Sequence, residues 1–345
     1  MKVLLTGAAG FIGSAISTEL AQAGHEVVGV DLMLAAAHGG TEPPSGIHQL
    51  DVRESDQWRE LLRGVDVVCH QAAVVGAGVT VADLPLYASH NDLGTAALLA
   101  AMHAEGVDRL VLASSMVVYG EGRYACPQHG RVAPGPRVVE ALDTRQFDNP
   151  CPVCGDPLDW ELVPESAKLD PRSSYAASKV AQEHFTSAWV RHAGASAIAL
   201  RYHNVYGPGM PRDTPYAGVA AIFRSSLERG ESPRVFEDGG QMRDFVHVRD
   251  VARANVVAID AVAADASNRF AAYNVCSGRP ISIVEAATLL AGPAGPSPTI
   301  TGQYRLGDVR HIVASPDLAA RELGFTASVQ PEAGIPAFAN DPLRD

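Results

Sequence analysis

The first half of the chain alternates short apolar runs with longer segments whose apolar residues recur every three or four positions. The short runs are typical of buried parallel strands, and the longer segments are typical of amphipathic helices. The alternation predicts an α/β fold with a doubly wound parallel sheet. The predicted strands are residues 2–6, 26–30, 47–50, 65–70, 109–113 and 196–201. The predicted helices are residues 12–23, 54–63, 93–105 and 175–192.

Two regions interrupt this alternation. Residues 121–165 are rich in proline, glycine and cysteine and form an insertion, and a long loop of this kind in a compact domain is usually functional or separately stabilised. After residue 201 the alternation loosens and Gly/Pro turns become frequent. We therefore expect a smaller carboxy-terminal lobe that closes over an edge of the sheet.

Composition and charge narrow the class of protein. The 345 residues are 47% hydrophobic and 19% charged, as in an ordinary globular protein. A net charge of −12 argues against binding to nucleic acid, and no apolar run is long enough to span a membrane. A strand rather than a signal peptide follows Met1, and the five cysteines do not suggest a disulfide scaffold, so we expect a cytoplasmic protein. Cys69 and Cys276 lie in apolar runs and should be buried.

A glycine-rich turn joins the first predicted strand to the first helix. Gly7, Gly10 and Gly13 would let the pyrophosphate of a dinucleotide approach the backbone at the start of the helix. Asp31 ends the second strand, where an acid accepts hydrogen bonds from an adenosine ribose. No arginine follows Asp31 directly to receive a 2′-phosphate, so NAD is favoured over NADP. The alternative is a glycine turn that only packs helix on strand.

Tyr175 and Lys179 form a second candidate site, because residues four apart lie on one face of a helix. A lysine ammonium beside a phenol favours the phenolate, so we expect the pKa of Tyr175 to fall from about 10 toward that of a general base. Ser114 and Ser115 end an earlier strand. Each motif alone has a structural explanation, such as a tyrosine in the core, but together with the glycine turn they predict a dehydrogenase site.

These motifs resemble the extended short-chain dehydrogenase/reductase family, in particular its nucleotide-sugar epimerases and dehydratases. The resemblance covers nearly the whole chain. It implies a Rossmann-type NAD-binding domain over residues 1–201 and a mainly substrate-binding lobe over residues 202–345, with some segments returning to the core. It also implies a homodimer in which the helices at 93–105 and 175–192 form a four-helix bundle.

The resemblance assigns a role to each matching residue. It implies that Tyr175 takes the proton of a sugar hydroxyl, and that Lys179 lowers the pKa of Tyr175 and holds the cofactor ribose. Ser115, rather than Ser114, should hydrogen-bond the reacting oxygen. The expected cofactor-binding residues are Gly7, Gly10, Phe11, Ile12, Gly13, Asp31, Asp51, Val52, Ala72, Asn91, Tyr175, Lys179 and Tyr202. The expected substrate-binding residues are Ser115, Asn204, Arg243, Arg305 and Asp308, where ordinary surface ion pairs are the alternative for the two arginines.

Met116 and Val117 stand where the family's sugar dehydratases carry an Asp-Glu pair. Apolar side chains cannot transfer the protons of water elimination. The resemblance therefore favours an NAD-dependent nucleotide-sugar 4-epimerase, an isomerase that oxidises and then re-reduces C4. The alternatives are an NAD(P)H-dependent 4-keto-sugar reductase and a non-catalytic protein on the same fold, and the intact Ser/Tyr/Lys set disfavours the latter.

The insertion contains two pairs of metal-ligating residues, Cys126 with His129 and Cys151 with Cys154. Paired ligands at this spacing are typical of a structural zinc ribbon. The alternatives are free thiols or a disulfide. The insertion resembles that of bacterial dTDP-L-rhamnose 4-epimerases, which makes dTDP-L-rhamnose or a related dTDP- or UDP-hexose the expected substrate. We expect segments 74–81 and 216–223 to line the sugar pocket.

Overall fold

The structure is a computed structural model of the chain that describes residues 1–76, 80–212 and 218–344. Its strands are β1 (Lys2–Thr6), β2 (Glu26–Asp31), β3 (Ile47–Gln49), β4 (Val67–His70), β5 (Arg109–Ser115), β6 (Arg123–Cys126), β7 (Gly130–Val132), β8 (Asp159–Glu161), β9 (Ser196–Tyr202), β10 (Asn204–Tyr206), β11 (Arg234–Val235), β12 (Met242–Arg243), β13 (Phe245–His247), β14 (Phe270–Val275), β15 (Ile281–Ser282) and β16 (Thr299–Ile300). Its α-helices are α1 (Phe11–Gln22), α2 (Ala35–His38), α3 (Leu84–Tyr87), α4 (Gly94–Ala104), α5 (Val139–Asp143), α6 (Ser174–Ala193), α7 (Val219–Glu228), α8 (Val248–Ala264), α9 (Ile283–Ala291), α10 (Asp317–Leu323) and α11 (Pro331–Phe338).

A seven-stranded sheet forms the centre of the molecule, with its strands in the order β14-β9-β5-β4-β1-β2-β3. Each neighbouring pair in this sheet is parallel. The predicted doubly wound α/β fold is therefore confirmed. The strand order reverses between β1 and β4, and ligands bind beyond the carboxyl ends of the strands at such a point.

Side chains alternate between the two faces of the sheet, as the strand period requires. Val3 and Leu5 pack into a core with α1 and α8, whereas Leu4 packs into the opposite core with α4 and α6. The buried positions predicted for Cys69 and Cys276 are confirmed, at 0% and 2% exposure. None of the helices in the described part of the chain is long and apolar enough to cross a bilayer.

The helix expected over residues 54–63 was a wrong prediction. The structure has two 3₁₀ turns there, Val52–Gln57 and Arg59–Leu62. The Ser55 side chain donates a hydrogen bond to the Val52 carbonyl oxygen, and the Trp58 side chain donates one to the Asp51 carbonyl oxygen. Such local side-chain bonds compete with the α-helical hydrogen-bond ladder, so apolar periodicity alone overestimated the helix.

Three elements beyond residue 201, β14, α8 and α10, return to the core around the central sheet. Strand β14 pairs with β9 at one edge of the sheet, and α8 packs beside α1 on one face. Helices α7, α9 and α11 pack in a separate core around Tyr206, Phe245 and Phe338. The insertion contains a small antiparallel sheet in the order β7-β6-β8.

Candidate active site

A cavity of about 610 Å³ brings together the glycine turn, the ends of β2, β5 and β9, and the start of α6. It is also lined by residues of the carboxy-terminal lobe, among them Asn204 and Phe245. The predicted cofactor residues that line this cavity are Gly7, Gly10, Phe11, Ile12, Gly13, Asp31, Asp51, Val52, Ala72, Tyr175, Lys179 and Tyr202. Thus residues from distant parts of the sequence share one site.

The glycine turn leaves no room for side chains. Gly7 has a φ of +67°, and a Cβ there would lie 2.8 Å from the backbone nitrogen of Ala72. A Cβ on Gly13 would lie 2.0 Å from the carbonyl oxygen of Gly7. Helix α1 begins directly after Gly10, and no side chain caps its first turn. Its backbone N–H groups are thus suited to a phosphate group.

Asp31 sits beside the glycine turn at the end of β2. Its carboxylate accepts hydrogen bonds from the backbone N–H of Ala9 at 3.0 Å and of Met33 at 2.8 Å. His38 Nε2 lies 3.4 Å from the same carboxylate, and burial is the main cause that lowers the pKa of His38. Arg344 also lines the cavity and was not predicted, because it is far from the turn in sequence.

Asp51 follows β3 and lines the same cavity. Burial alone would raise the pKa of its carboxyl, but Arg53 reverses this effect and the pKa is lowered. The Arg53 guanidinium contacts the carboxylate at 2.5 Å. Asp51 therefore carries its charge as part of a local ion pair.

Asn91 differs from the other predicted cofactor residues, because it does not line the described cavity. Its side chain hydrogen-bonds both the N–H and the C=O of Val74, at 2.8 and 2.9 Å. It also donates to the hydroxyl of Ser178, next to Lys179, at 2.9 Å. Asn91 thus holds the Val74 backbone and the start of α6 in place from a position outside the cavity.

The end of β5 and the start of α6 bring together Ser115, Tyr175 and Lys179. Lys179 Nζ lies 5.9 Å from the centre of the Tyr175 ring and donates a hydrogen bond to the Ala113 carbonyl at 2.9 Å. The Ser115 hydroxyl lies beside the Tyr175 phenol and lowers its pKa. The ammonium is therefore held close to the phenol by the strand that carries the serine.

The electrostatics of this group differ from the prediction. Burial raises the pKa of Tyr175, and the hydrogen bond with Ser115 lowers it only in part. Burial also lowers the pKa of Lys179 to about 8, although Glu183 and Asp92 oppose this shift. The expected lowering of the Tyr175 pKa is not found, because taking a phenolate out of water raises this pKa by more than the Ser115 hydroxyl lowers it.

Ser114 has a different role from its neighbour. Its hydroxyl donates to Glu183 at 2.5 Å in a buried site. The same carboxylate accepts hydrogen bonds from the Arg201 guanidinium at 2.9 and 2.7 Å. Ser114 therefore supports the buried Glu183–Arg201 ion pair, and the three side chains join β5, α6 and β9.

The predicted substrate residues are not all in one cavity. Asn204 lines the main cavity and donates to the Asp244 carbonyl at 3.1 Å. The Arg243 guanidinium instead donates to the backbone carbonyl oxygens of Met242, Val309 and Arg310, at 2.7 to 2.9 Å. In this geometry Arg243 ties β12 to the segment that follows Asp308, rather than presenting its planar fork to a phosphate.

Arg305 lies in a second cleft, between the insertion and the carboxy-terminal lobe. Its guanidinium is 5.1 Å from the centre of the Phe236 ring, and Arg145 of the insertion lines the same cleft. Arg137, also of the insertion, donates to the backbone carbonyl of Asp308 at 2.5 Å and pairs with Glu237 at 2.7 Å. Sequence reasoning missed Arg137 and Arg145 because no motif marks them.

The four predicted metal ligands converge within the insertion. The ligand atoms of Cys126, His129, Cys151 and Cys154 all lie within 4.8 Å of one another. Cys126 Sγ is 3.4 Å from His129 Nδ1 and 3.7 Å from Cys154 Sγ, and Cys151 Sγ is 3.7 Å from His129 Nδ1. A tetrahedral zinc with ordinary bond lengths separates its ligands by about 3.5 to 3.8 Å, so these residues fit the ion.

Two further segments were expected to line the sugar pocket. Val74 and Val75 of the first and Val219 of the second do line the main cavity. Residues 77–79 and 216–217 lie outside the described part of the chain.

Residues 3–138 and 152–276 match the family model for the NAD dependent epimerase/dehydratase family. The chain belongs to this family. The glycine turn, Asp31 and the uncapped α1 fit the NAD that this family uses. Met116 and Val117 are apolar and cannot transfer the protons of water elimination, so they disfavour the dehydratase reaction of this family.

Several members of the family are similar to the chain over almost its whole length. It is 33% identical to the dTDP-L-rhamnose 4-epimerase of Burkholderia thailandensis over 97% of this chain and 93% of that protein. The structure of MoeE5 with UDP-glucuronic acid and NAD aligns with a TM-score of 0.75 and 31% identity, covering 98% of this chain and 97% of that one. The Thermus thermophilus UDP-glucose 4-epimerase with NAD aligns with a TM-score of 0.75 and 29% identity, covering 99% and 98%.

Proposed function

We propose that the protein is an NAD-dependent nucleotide-sugar 4-epimerase. The observation that carries this proposal is that Tyr175 and Lys179 line the same cavity as the glycine turn, with Ser115 beside Tyr175. Bound NAD would supply the hydride acceptor for oxidation at C4 of the sugar and the hydride donor for its reduction. Because the cofactor is regenerated in each turnover, the protein needs no external reductant.

Each residue of the group has a separate task. Tyr175 takes the proton of the C4 hydroxyl during oxidation and returns it during reduction. Ser115 hydrogen-bonds the reacting oxygen and shares its proton. The Lys179 ammonium stabilises the phenolate and holds the cofactor ribose. Met116 and Val117 leave this part of the chain without an acid–base pair, which favours redox chemistry over water elimination.

The substrate we propose is dTDP-L-rhamnose or a related dTDP- or UDP-hexose. The similarity to a dTDP-L-rhamnose 4-epimerase over the whole chain supports the first choice, and the neighbours with UDP-sugars support the second. Ser115 and Asn204 would contact the sugar. Arg305 and Asp308 would bind the nucleotide, and Arg243 would hold the segment beside Asp308.

Proton NMR of purified protein without added cofactor tests this proposal. Separate mixtures would contain dTDP-L-rhamnose, UDP-glucose or UDP-glucuronate. A C4 epimer that accumulates to equilibrium is expected with one of them, and Tyr175→Phe should abolish its formation. If no sugar changes and the protein instead consumes reduced cofactor with a 4-keto sugar, the enzyme is a reductase.

We also infer that Cys126, His129, Cys151 and Cys154 bind a structural zinc ion. Four protein ligands leave no open position, so the ion would fold the insertion rather than take part in catalysis. Metal analysis of the purified protein should find one zinc per chain. Cys126→Ser should lose it, whereas Cys276→Ala, which removes a thiol outside the cluster, should keep it. A wild-type protein that is folded and free of zinc contradicts the inference.

A homodimer formed through α4 and α6 is proposed as well. Both regions leave a large apolar side chain exposed, since Leu93 just before α4 is 54% exposed and Phe185 on α6 is 44% exposed. Packing α4 and α6 against their copies would bury these side chains. The cytoplasmic location stays a prediction of the sequence.

A further inference from the structure

A short carboxy-terminal segment, residues 342–344, is held next to the cofactor cavity by backbone pairing. Gly209 N–H donates to the Pro342 carbonyl at 2.8 Å, and Arg212 N–H donates to the Arg344 carbonyl at 3.0 Å. Arg344 N–H in turn donates to the Met210 carbonyl at 3.1 Å. The backbone of Arg344 is therefore fixed by a loop of the carboxy-terminal lobe.

The side chain of Arg344 reaches the glycine turn of the other domain. Its Nη1 donates to the Ala9 carbonyl at 2.7 Å, and the residue lines the same cavity as Gly10 and Phe11. An arginine has five N–H donors, and this is the one side-chain hydrogen bond that Arg344 makes to the described residues. The guanidinium thus retains donors for a further acceptor.

The charge of Asp31 acts on Arg344, but the described structure shows no ion pair between the two side chains. The Asp31 carboxylate already accepts from Ala9 and Met33 and lies beside His38. Burial is the main cause that lowers the pKa of Arg344, and Asp31 offsets this in part. A partly buried cation of this kind is favoured by an anion in the cavity.

We propose that Arg344 binds the pyrophosphate of the dinucleotide and so holds the cofactor in place. The uncapped start of α1 and the Arg344 guanidinium line one cavity, and an arginine binds phosphate through charge-assisted hydrogen bonds. The side chain would tie the carboxy-terminal lobe to the cofactor. This inference rests on the NAD site and is independent of which sugar the enzyme epimerises.

Arg344→Ala and Arg344→Lys test the proposal, with Arg321→Ala as the matched control. Arg321 has a side-chain exposure of 65% on α10 and pairs with Glu322 at 3.7 Å. The NAD released from each purified protein by denaturation would be counted per chain. The affinity of the stripped proteins for NAD and NADP would then be measured by calorimetry. Equal unfolding midpoints of the stripped proteins would show that the fold is intact.

Loss of a hydrogen bond to a charged group predicts that Arg344→Ala binds NAD about 10- to 100-fold more weakly. Arg344→Lys should lie between this variant and the wild type, and Arg321→Ala should match the wild type. Equal NAD affinity in Arg344→Ala overturns the proposal. A lower affinity for NADP alone also overturns it, because that result would place Arg344 at a 2′-phosphate. Since no sugar is present, the outcome does not depend on the proposed epimerase activity.

Discussion

Replacing Ser114 and Ser115 by alanine, one at a time, should separate a structural hydroxyl from a catalytic one. Ser114 is 2% exposed and donates to Glu183 at 2.5 Å. Its loss removes one of the hydrogen bonds to a carboxylate that also pairs with Arg201. A hydrogen bond to a buried charge contributes about 1.5 to 3 kcal/mol, so Ser114→Ala should lower the free energy of unfolding by that amount.

Ser115→Ala should have the opposite profile. Ser115 is only partly buried, and its hydroxyl contacts Tyr175 and accepts a long hydrogen bond of 3.4 Å from Val117 N–H. We expect a change of at most about 0.5 kcal/mol in the free energy of unfolding. Loss of one group that stabilises a reacting oxygen typically lowers kcat by about 10²- to 10³-fold, and we expect a loss of this size.

Urea unfolding and the rate of C4 epimerisation measure the two effects on the same samples. Ser115→Thr serves as a control, because it keeps a hydroxyl and should retain part of the activity lost in Ser115→Ala. The reasoning is refuted if Ser114→Ala loses kcat while its stability is unchanged. It is equally refuted if Ser115→Ala turns over at the wild-type rate.

Two further predictions concern the charge of Lys179 and the surface of α6. The pKa of Lys179 is lowered to about 8, so the ammonium is lost as pH rises through that value, and kcat should fall on the alkaline side. Lys179→Arg should lack this decline in its pH–rate profile, because a guanidinium stays charged. If kcat of this variant falls at the same pH as that of the wild type, the decline does not come from Lys179. Phe185→Glu should convert a dimer into a monomer in light scattering, whereas Phe185→Leu should leave it intact. A monomeric wild type would rule out the bundle.

Much of the fold was predictable because its signals are local. Buried parallel strands need apolar side chains on both faces, which produced the runs at 2–6 and 109–113. The stretch at 54–63 failed because Ser55 and Trp58 bond to nearby carbonyl oxygens. Apolar spacing does not report such bonds. Strand β14 was missed because it follows a region in which the alternation had already loosened.

The sequence by itself determined the glycine turn, the Tyr175–Lys179 spacing and the pairs of metal ligands. Close backbone approach, one helical turn and a metal knuckle each require particular residues at short separations, so they leave local patterns. Only the tertiary structure decided that Arg243 bonds to carbonyl oxygens and that Arg344 reaches the glycine turn. It also decided that burial outweighs the Ser115 hydroxyl in setting the pKa of Tyr175. Partners and burial depend on which distant segments meet, and no local pattern encodes that.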